Sequence, residues 1–204
     1  MGRIITLLLL LSFIGLGSYL LLGTQDTRGI GADGVANNNV SSTGDALIGG
    51  DFQLINTDNE IVTNNDFRGR YTLVFFGFTQ CPDVCPITLT TISSVMDELG
   101  QAASHITPIF ITIDPDRDSP EVMKNYISAF HPSVVGLTGE HKDIKQAVKA
   151  YKVYTQYGKK DKEAAYDVMH SGYVYFMDKN GKYITHFSHD DSVEMMTDTI
   201  KKAL

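Results

Sequence analysis

The sequence has no tryptophan, only six prolines in 204 residues, and two cysteines, Cys81 and Cys85, four positions apart. So few cysteines exclude a disulfide-laced scaffold and leave redox, metal or nucleophile chemistry for the pair. No repeat recurs at a solenoid period, which excludes stacked-repeat architectures. Basic residues are in deficit: 17 Lys and Arg face 24 Asp and Glu, for a formal net charge of −7. Binding a phosphate backbone takes clustered cations, so nucleic acid is not an expected partner. What the chain does have is apolar bulk. Its 43% hydrophobic and 10% aromatic content can fill a sizeable core and excludes global disorder.

Charge is missing altogether from Ile4 to Leu22, where 13 of 19 residues are Ile, Leu or Phe. As a helix this run would span roughly 28 Å, close to the thickness of a bilayer core. It exceeds the apolar core of about 7–15 residues that a signal peptide carries, and neither a convincing cleavage site nor a cysteine follows Leu22. The expectation is therefore an uncleaved single-pass anchor over residues 1–23. Arg3 and the α-amine precede the run, so the positive-inside tendency keeps the tail cytoplasmic and exports the rest. With no Arg-rich transit peptide, the reading favours a bacterial plasma membrane with the folded part on its extracytoplasmic side. Residues 24–48 hold no aromatic side chain but several glycines and a triple Asn at 37–39. Such a segment cannot bury enough surface to offset its ordering entropy, and reads as a flexible tether of roughly 25–30 Å r.m.s. length. A soluble domain, 49–204, follows.

Within that domain, Phe52 to Thr63 alternates around Asp58-Asn59 and predicts a hairpin. Tyr71 to Phe78 (YTLVFFGF) is a continuous apolar run, the pattern of a strand buried on both faces. A helix over Pro86 to Leu99 aligns Leu89, Ile92, Val95, Met96 and Leu99 on one face. A second buried strand follows at Pro108 to Ile113, then the turn-rich Asp114 to Pro120. Helices are expected at Glu121 to Phe130 and His141 to Tyr151, and a short strand near Val153. A hairpin joins Tyr173–Met177 to Tyr183–Phe187 through Asn180-Gly181, and a last helix covers Ser192 to Ala203. Strands alternating with helices and ending in an antiparallel hairpin indicate an α/β sandwich with a mixed sheet. A strand running straight into a cysteine pair that opens a helix is the thioredoxin-like arrangement.

The pair lies in Phe78-Thr79-Gln80-Cys81-Pro82-Asp83-Val84-Cys85-Pro86. Each cysteine precedes a proline, which disfavours helical backbone at both. The reading makes Pro86 the first helical residue and Cys85 the cap, with the thiols on a tight loop at the positive end of the helix, where thiolate is favoured. Three readings compete: an inert structural disulfide closing a short loop, a redox pair, and two ligands of a soft-metal site that needs a third donor. The redox reading is weakened by the spacing, since C-x-x-C is the usual form.

Six histidines are available as that donor. His105, His131 and His141 fall at helix or loop edges, where a local role is the default. His186 and His189 bracket Phe187-Ser188 at a strand end and read as surface residues with weak chelating capacity. His170 sits just before the apolar strand at 173, and in a thioredoxin-like sheet that connection passes beside the cysteine loop. There it would complete a Cys2His set suited to copper. Met169 is a soft thioether with a packing role as its plainer reading, and Met195 and Met196 read as core filler. Asp83, between the cysteines, either tunes the site or is solvated. Asp114 to Pro120 begins like a calcium loop but has Ser119 at the sixth position and Asn125 at the twelfth, so it reads as a structured turn in which Arg117 pairs with a carboxylate. Lys159 to Lys162 reads as a solvated loop.

These motifs, in this order and behind a single anchor, resemble the Sco/SenC family of thioredoxin-like copper chaperones. The shared stretches are Ile48 to Phe52, Asp66-Phe67-Arg68-Gly69, Phe76-Gly77-Phe78-Thr79, Cys81 to Pro86, Asp114 to Pro120, Gly136-Leu137-Thr138-Gly139, His170-Ser171 and His186 to His189. The resemblance implies copper held by Cys81, Cys85 and His170. It further implies delivery to the dinuclear copper centre of cytochrome c oxidase subunit II, or reduction of that centre's cysteines. The chain departs from the family pattern at Gln80, often His, and at Met169, often Asp. The resemblance implies a metal carrier more than an enzyme. The competing enzymatic reading is a thiol–disulfide reductase using Cys81 and Cys85 as its redox pair. A peroxidase of the same scaffold would need a threonine three residues before Cys81, where Phe78 stands.

Overall fold

A computed structural model describes residues 48–159 and 168–204. The expected anchor and nearly all of the expected tether lie outside the described residues, as do positions 160–162 of the lysine loop. Among the described residues, no helix is long and apolar enough to cross a membrane.

The chain builds β1 (Gln53–Asn56), β2 (Ile61–Thr63), β3 (Tyr71–Gly77), α1 (Val84–Leu99), β4 (Ile106–Thr112), α2 (Pro120–Ile127) and β5 (Val135–Thr138). Next come α3 (His141–Ala150), β6 (Thr155–Tyr157), β7 (Val168–His170), β8 (Val174–Met177), β9 (Tyr183–Phe187) and α4 (Val193–Ala203). Two short 3₁₀ turns, Asn64–Phe67 and Gly100–His105, link the elements. Seven strands form one mixed sheet in the order β2-β1-β5-β4-β3-β8-β9. β3 runs parallel to β4, and β4 to β5, while β8 and β1 join antiparallel. This mixed α/β architecture is thioredoxin-like, as expected.

Every residue of β3 and of β4 is buried, which is why both are dominated by apolar residues, with only threonines among them. Successive residues of a strand face opposite sides, and the paired phenylalanines show both sides filled. Phe75 stacks on Phe110, which meets Tyr126 of α2, while Phe76 packs on Tyr151, just after α3, and on Tyr175 of β8. α1 and α4 pack against each other, and Leu89, Ile92 and Met96 of the one and Met196 and Ile200 of the other are buried. Met195, grouped with Met196 as core filler, is 40% exposed.

Turn chemistry places the hairpins. Asn59 adopts φ 63° between β1 and β2, and Gly181 adopts φ 70° between β8 and β9, where Asp178 N–H donates to the Lys182 carbonyl. Serine side chains cap two helices: Ser119 accepts from the Val122 amide and Ser192 from the Met195 amide. β6 and β7 stand apart as a separate two-stranded ribbon, with Thr155 opposite His170 and Gln156 opposite Met169.

Candidate metal centre

β3 ends at Gly77 and the chain turns at once into the cysteine loop, so the site lies at the C-terminal end of a central strand. α1 begins at Val84, two residues earlier than the prolines suggested, with Asp83 as its exposed cap. Cys85 is therefore inside the first turn. The reason is that the first four helical N–H groups have no intrahelical acceptor, so Pro86 loses no bond by standing at the third position. One of those orphan amides is used by the site: Cys85 N–H points at Cys81 Sγ, 3.4 Å away. The Cys81 sulfur thus sits at the positive helix end, as expected.

Cys85 is fully buried and Cys81 partly so, and both are free thiols. Space for the Cys85 sulfur depends on Gly77, where an added Cβ would lie 2.6 Å from Cys85 Sγ and 2.8 Å from the Phe110 ring. The two thiols share protonation unequally. Cys81 is pulled down to about 5, first by the hydrogen bond from Cys85, then by the backbone amides of Asp83 and Cys85. Cys85 is pushed far up by donating that bond and by burial. The pair therefore carries one negative charge, centred on the outer sulfur.

The third member comes from the β6–β7 ribbon. His170 Nδ1 lies 3.0 Å from the Ser171 carbonyl, which can only accept, so the ring proton belongs on Nδ1. Nε2 is left with its lone pair, 3.5 Å from Cys85 Sγ. The imidazole is flanked by Phe75 and Phe78, with ring centroids 6.2 and 5.9 Å away. One donor atom from each of Cys81, Cys85 and His170 lies within 4.8 Å of the others. Two thiols and an imidazole are a soft donor set, and the hydrogen bond from Nδ1–H to a carbonyl is how a metal-binding histidine is usually oriented.

Strand alternation turns Met169 away from this group. It is 57% exposed on the outer face of the ribbon, so it neither joins the donors nor packs. The ribbon is fastened to the domain by Tyr157, whose hydroxyl donates to the Ile113 carbonyl at 2.6 Å, and its two strands are joined at one end by backbone and side-chain bonds between Tyr154 and Ser171. The remaining histidines have local partners or stand at edges. His131 bonds Ser133, His141 pairs with Asp116 at 2.8 Å, His186 meets the Tyr183 hydroxyl and His189 meets Asp190. His105 ends an exposed 3₁₀ turn.

The calcium-like run is the expected structured turn, with Arg117 paired to Asp114. It also contains residues that the sequence reading left without a role. Asp118 is fully buried and accepts from the Thr79 amide at 3.1 Å, the Thr79 hydroxyl at 2.5 Å and the Thr112 hydroxyl at 2.6 Å. Burial pushes its carboxyl up, and these hydrogen bonds work in the other direction. Arg117 lies over the Phe78 ring, 5.7 Å from its centroid, and donates to Gln80 Oε1 at 3.2 Å. The available signals were a lone glycine in a strand for Gly77, and the clustered carboxylates of the turn for Asp118.

A thioredoxin-like sheet with two thiols and an imidazole converging at the end of a central strand defines a soft-metal-binding or thiol-exchange protein. The SCO1/SenC family model matches residues 40–204, and the chain belongs to that family. It is 37% identical over 205 residues to a "SCO2-like protein" of Rickettsia felis, covering 98% of this chain and 97% of that one. The structure of Bradyrhizobium japonicum ScoI with copper bound is similar at TM-score 0.72 and 38% identity, over 77% of this chain and 99% of that one. Yeast Sco1 with copper bound gives a TM-score of 0.71 at 34% identity, over 76% and 87% of the two chains.

Proposed function

We propose that this protein binds copper through Cys81, Cys85 and His170 and hands it to a thiolate-bearing copper client. The Sco/SenC resemblance points to subunit II of cytochrome c oxidase, with its dinuclear copper centre, as that client. The observation that carries the reading is the convergence of the three donor atoms within 4.8 Å. The copper bound by two relatives of 34 and 38% identity supports it. In the same reading, residues 1–23 anchor the protein in a bacterial plasma membrane, and residues 24–48 tether the domain on the extracytoplasmic side, where a membrane-bound client exposes its copper site.

The donors differ in access, and that difference suits transfer. Cys85 is buried, His170 is wedged between two phenylalanine rings, and Cys81 is the partly exposed member that already carries the negative charge. An incoming client thiolate meets Cys81 first. Ligand exchange in single steps, with Cys85 and His170 holding on, passes the cargo without releasing a free ion.

The same asymmetry favours a second reading. A partly exposed thiol of low pKa beside a buried protonated one is the arrangement of an attacking and a resolving cysteine in a thiol–disulfide reductase. Titration of the reduced full-length chain in detergent with Cu(I) and Cu(II), anaerobically, separates the two. Near-equimolar tight binding is expected, with a thiolate-to-Cu(II) absorption band that changes in His170→Ala and vanishes in the Cys81→Ser/Cys85→Ser double variant. Weak binding that His170→Ala matches would sink the copper reading and leave the reductase.

A further inference from the structure

The three residues leading into the cysteine loop, Phe78, Thr79 and Gln80, are each held by one short turn, residues 114–118. Phe78 lies under the Arg117 guanidinium, Thr79 bonds the Asp118 carboxylate twice, and Gln80 accepts from Arg117. Arg117 is braced in turn by Asp114. Below them, the Asp118 carboxylate accepts a third bond from Thr112 at the end of β4, and its backbone carbonyl accepts from the Thr138 hydroxyl of β5 at 2.7 Å. The ends of three neighbouring strands, β3, β4 and β5, are thereby tied at one fully buried residue.

A carboxylate is an expensive group to bury unless its oxygens are all engaged, and an apolar residue would fill the same space with no such demand. Here the oxygens are engaged by the strand ends and by the segment that positions Cys81. We propose that Asp118 is the positioning residue of the metal loop: its hydrogen bonds to Thr79 and Thr112 fix residues 78–80 and so set where Cys81 stands relative to Cys85 and His170. This rests on the copper reading above. Asp118 makes no hydrogen bond to Cys81, Cys85 or His170 among the described residues and reaches the loop through the amide and hydroxyl of Thr79. The loop would fold without it but hold Cys81 loosely, so copper would leave faster and the metal–thiolate spectrum would change.

The test uses the full-length chain in detergent, loaded with one equivalent of copper. Its readouts are the thiolate-to-Cu(II) band and the rate of Cu(I) loss to a competing chelator. Asp118→Ala should shift the band and speed loss by roughly 10–100-fold, the range for removing a supporting partner of a metal ligand. Asp118→Asn should restore both towards wild type, because its carbonyl can still accept from the Thr79 amide and Thr112, and its amide can donate to the Thr79 hydroxyl. Thr79→Val, which removes one of the two Thr79 bonds, should act in the same direction as alanine but less, and serves if Asp118→Ala does not fold. Ile200→Ala, a core truncation in α4, controls for general loss of stability and should leave the band in place. Wild-type spectra and loss rates in Asp118→Ala or Thr79→Val would overturn the proposal, as would an equal band shift in Ile200→Ala. If the wild-type chain itself gives no copper band, the copper function fails first and this positioning role with it.

Discussion

Replacing Gly77 with alanine adds one methyl group at the most crowded point beneath the site. The new Cβ would stand 2.6 Å from Cys85 Sγ and 2.8 Å from Phe110 Cε2, against the 3.4 Å at which ordinary contact begins. Gly77 ends a central, wholly buried strand and is held to β4, opposite Thr112 and with its carbonyl accepting from the Ile113 amide, so its backbone has little freedom to retreat. The sulfur must give way by about 0.8 Å to restore that contact, several times the roughly 0.2 Å tolerance of metal–ligand distances. Overpacking of this kind costs about 1–3 kcal/mol. For a chain of this size, that corresponds to a fall of roughly 2–12 °C in Tm. Copper affinity should fall as well, because Cys85 is the donor displaced. Gly69→Ala supplies the contrast. It has φ +85° and nothing within 4 Å of the added carbon, so its cost is backbone strain of about 1–2 kcal/mol without any effect on copper. Thermal melts and copper competition titrations on both variants decide the matter. A Gly77→Ala protein that keeps wild-type copper affinity would refute the reasoning, since the sulfur would then have room that the geometry denies it.

Other consequences are as direct. Cys81, pulled down to about 5, should be alkylated by iodoacetamide in the metal-free protein at a rate that rises through pH 5 and levels off by neutrality, while buried Cys85 stays unmodified. An alkylation midpoint near 9, the value of an unperturbed thiol, would contradict the shared-proton arrangement. Copper affinity should fall as pH drops through the same range, because protons then compete for the outer sulfur. Tyr157→Phe removes the 2.6 Å bond from the ribbon to Ile113 and should cost about 1 kcal/mol, with faster amide exchange at His170 and Ser171 as its signature. Exchange that speeds equally throughout the main sheet would mean that the bond does not secure the ribbon locally.

The elements that sequence reading located best were those whose pattern is their burial. Tyr71–Gly77 is apolar at every position but Thr72 because both its faces are covered, and α1 carries its apolar stripe on the side that packs. β5 escaped notice, since four residues containing a glycine are too few for a period and its burial is imposed by β4 beside it. β7 was read as a connection because its three residues are too few to show a period, and the short strand expected near Val153, found as β6 at Thr155–Tyr157, had been given no partner. The start of α1 was placed late because Pro86 was given the first helical position, although a proline at the third position sacrifices no hydrogen bond. At the site, the spacing of Cys81 and Cys85 drew attention to the thiols, and fold topology suggested His170. Asp118 and Gly77 were not assigned roles, because a buried acceptor and an absent methyl acquire meaning only from what surrounds them in space.

The imidazole and the thiols belong to different pieces of the molecule: one to a two-stranded ribbon fastened through Tyr157, the others to the rim of the main sheet. In the copper reading, a metal held by all three would join the ribbon to the main sheet as a further fastening beside the Tyr157 hydroxyl. The strength of its grip would then include the cost of holding the ribbon in place, so loss of the Tyr157 bond would loosen the cargo while leaving all three donors untouched.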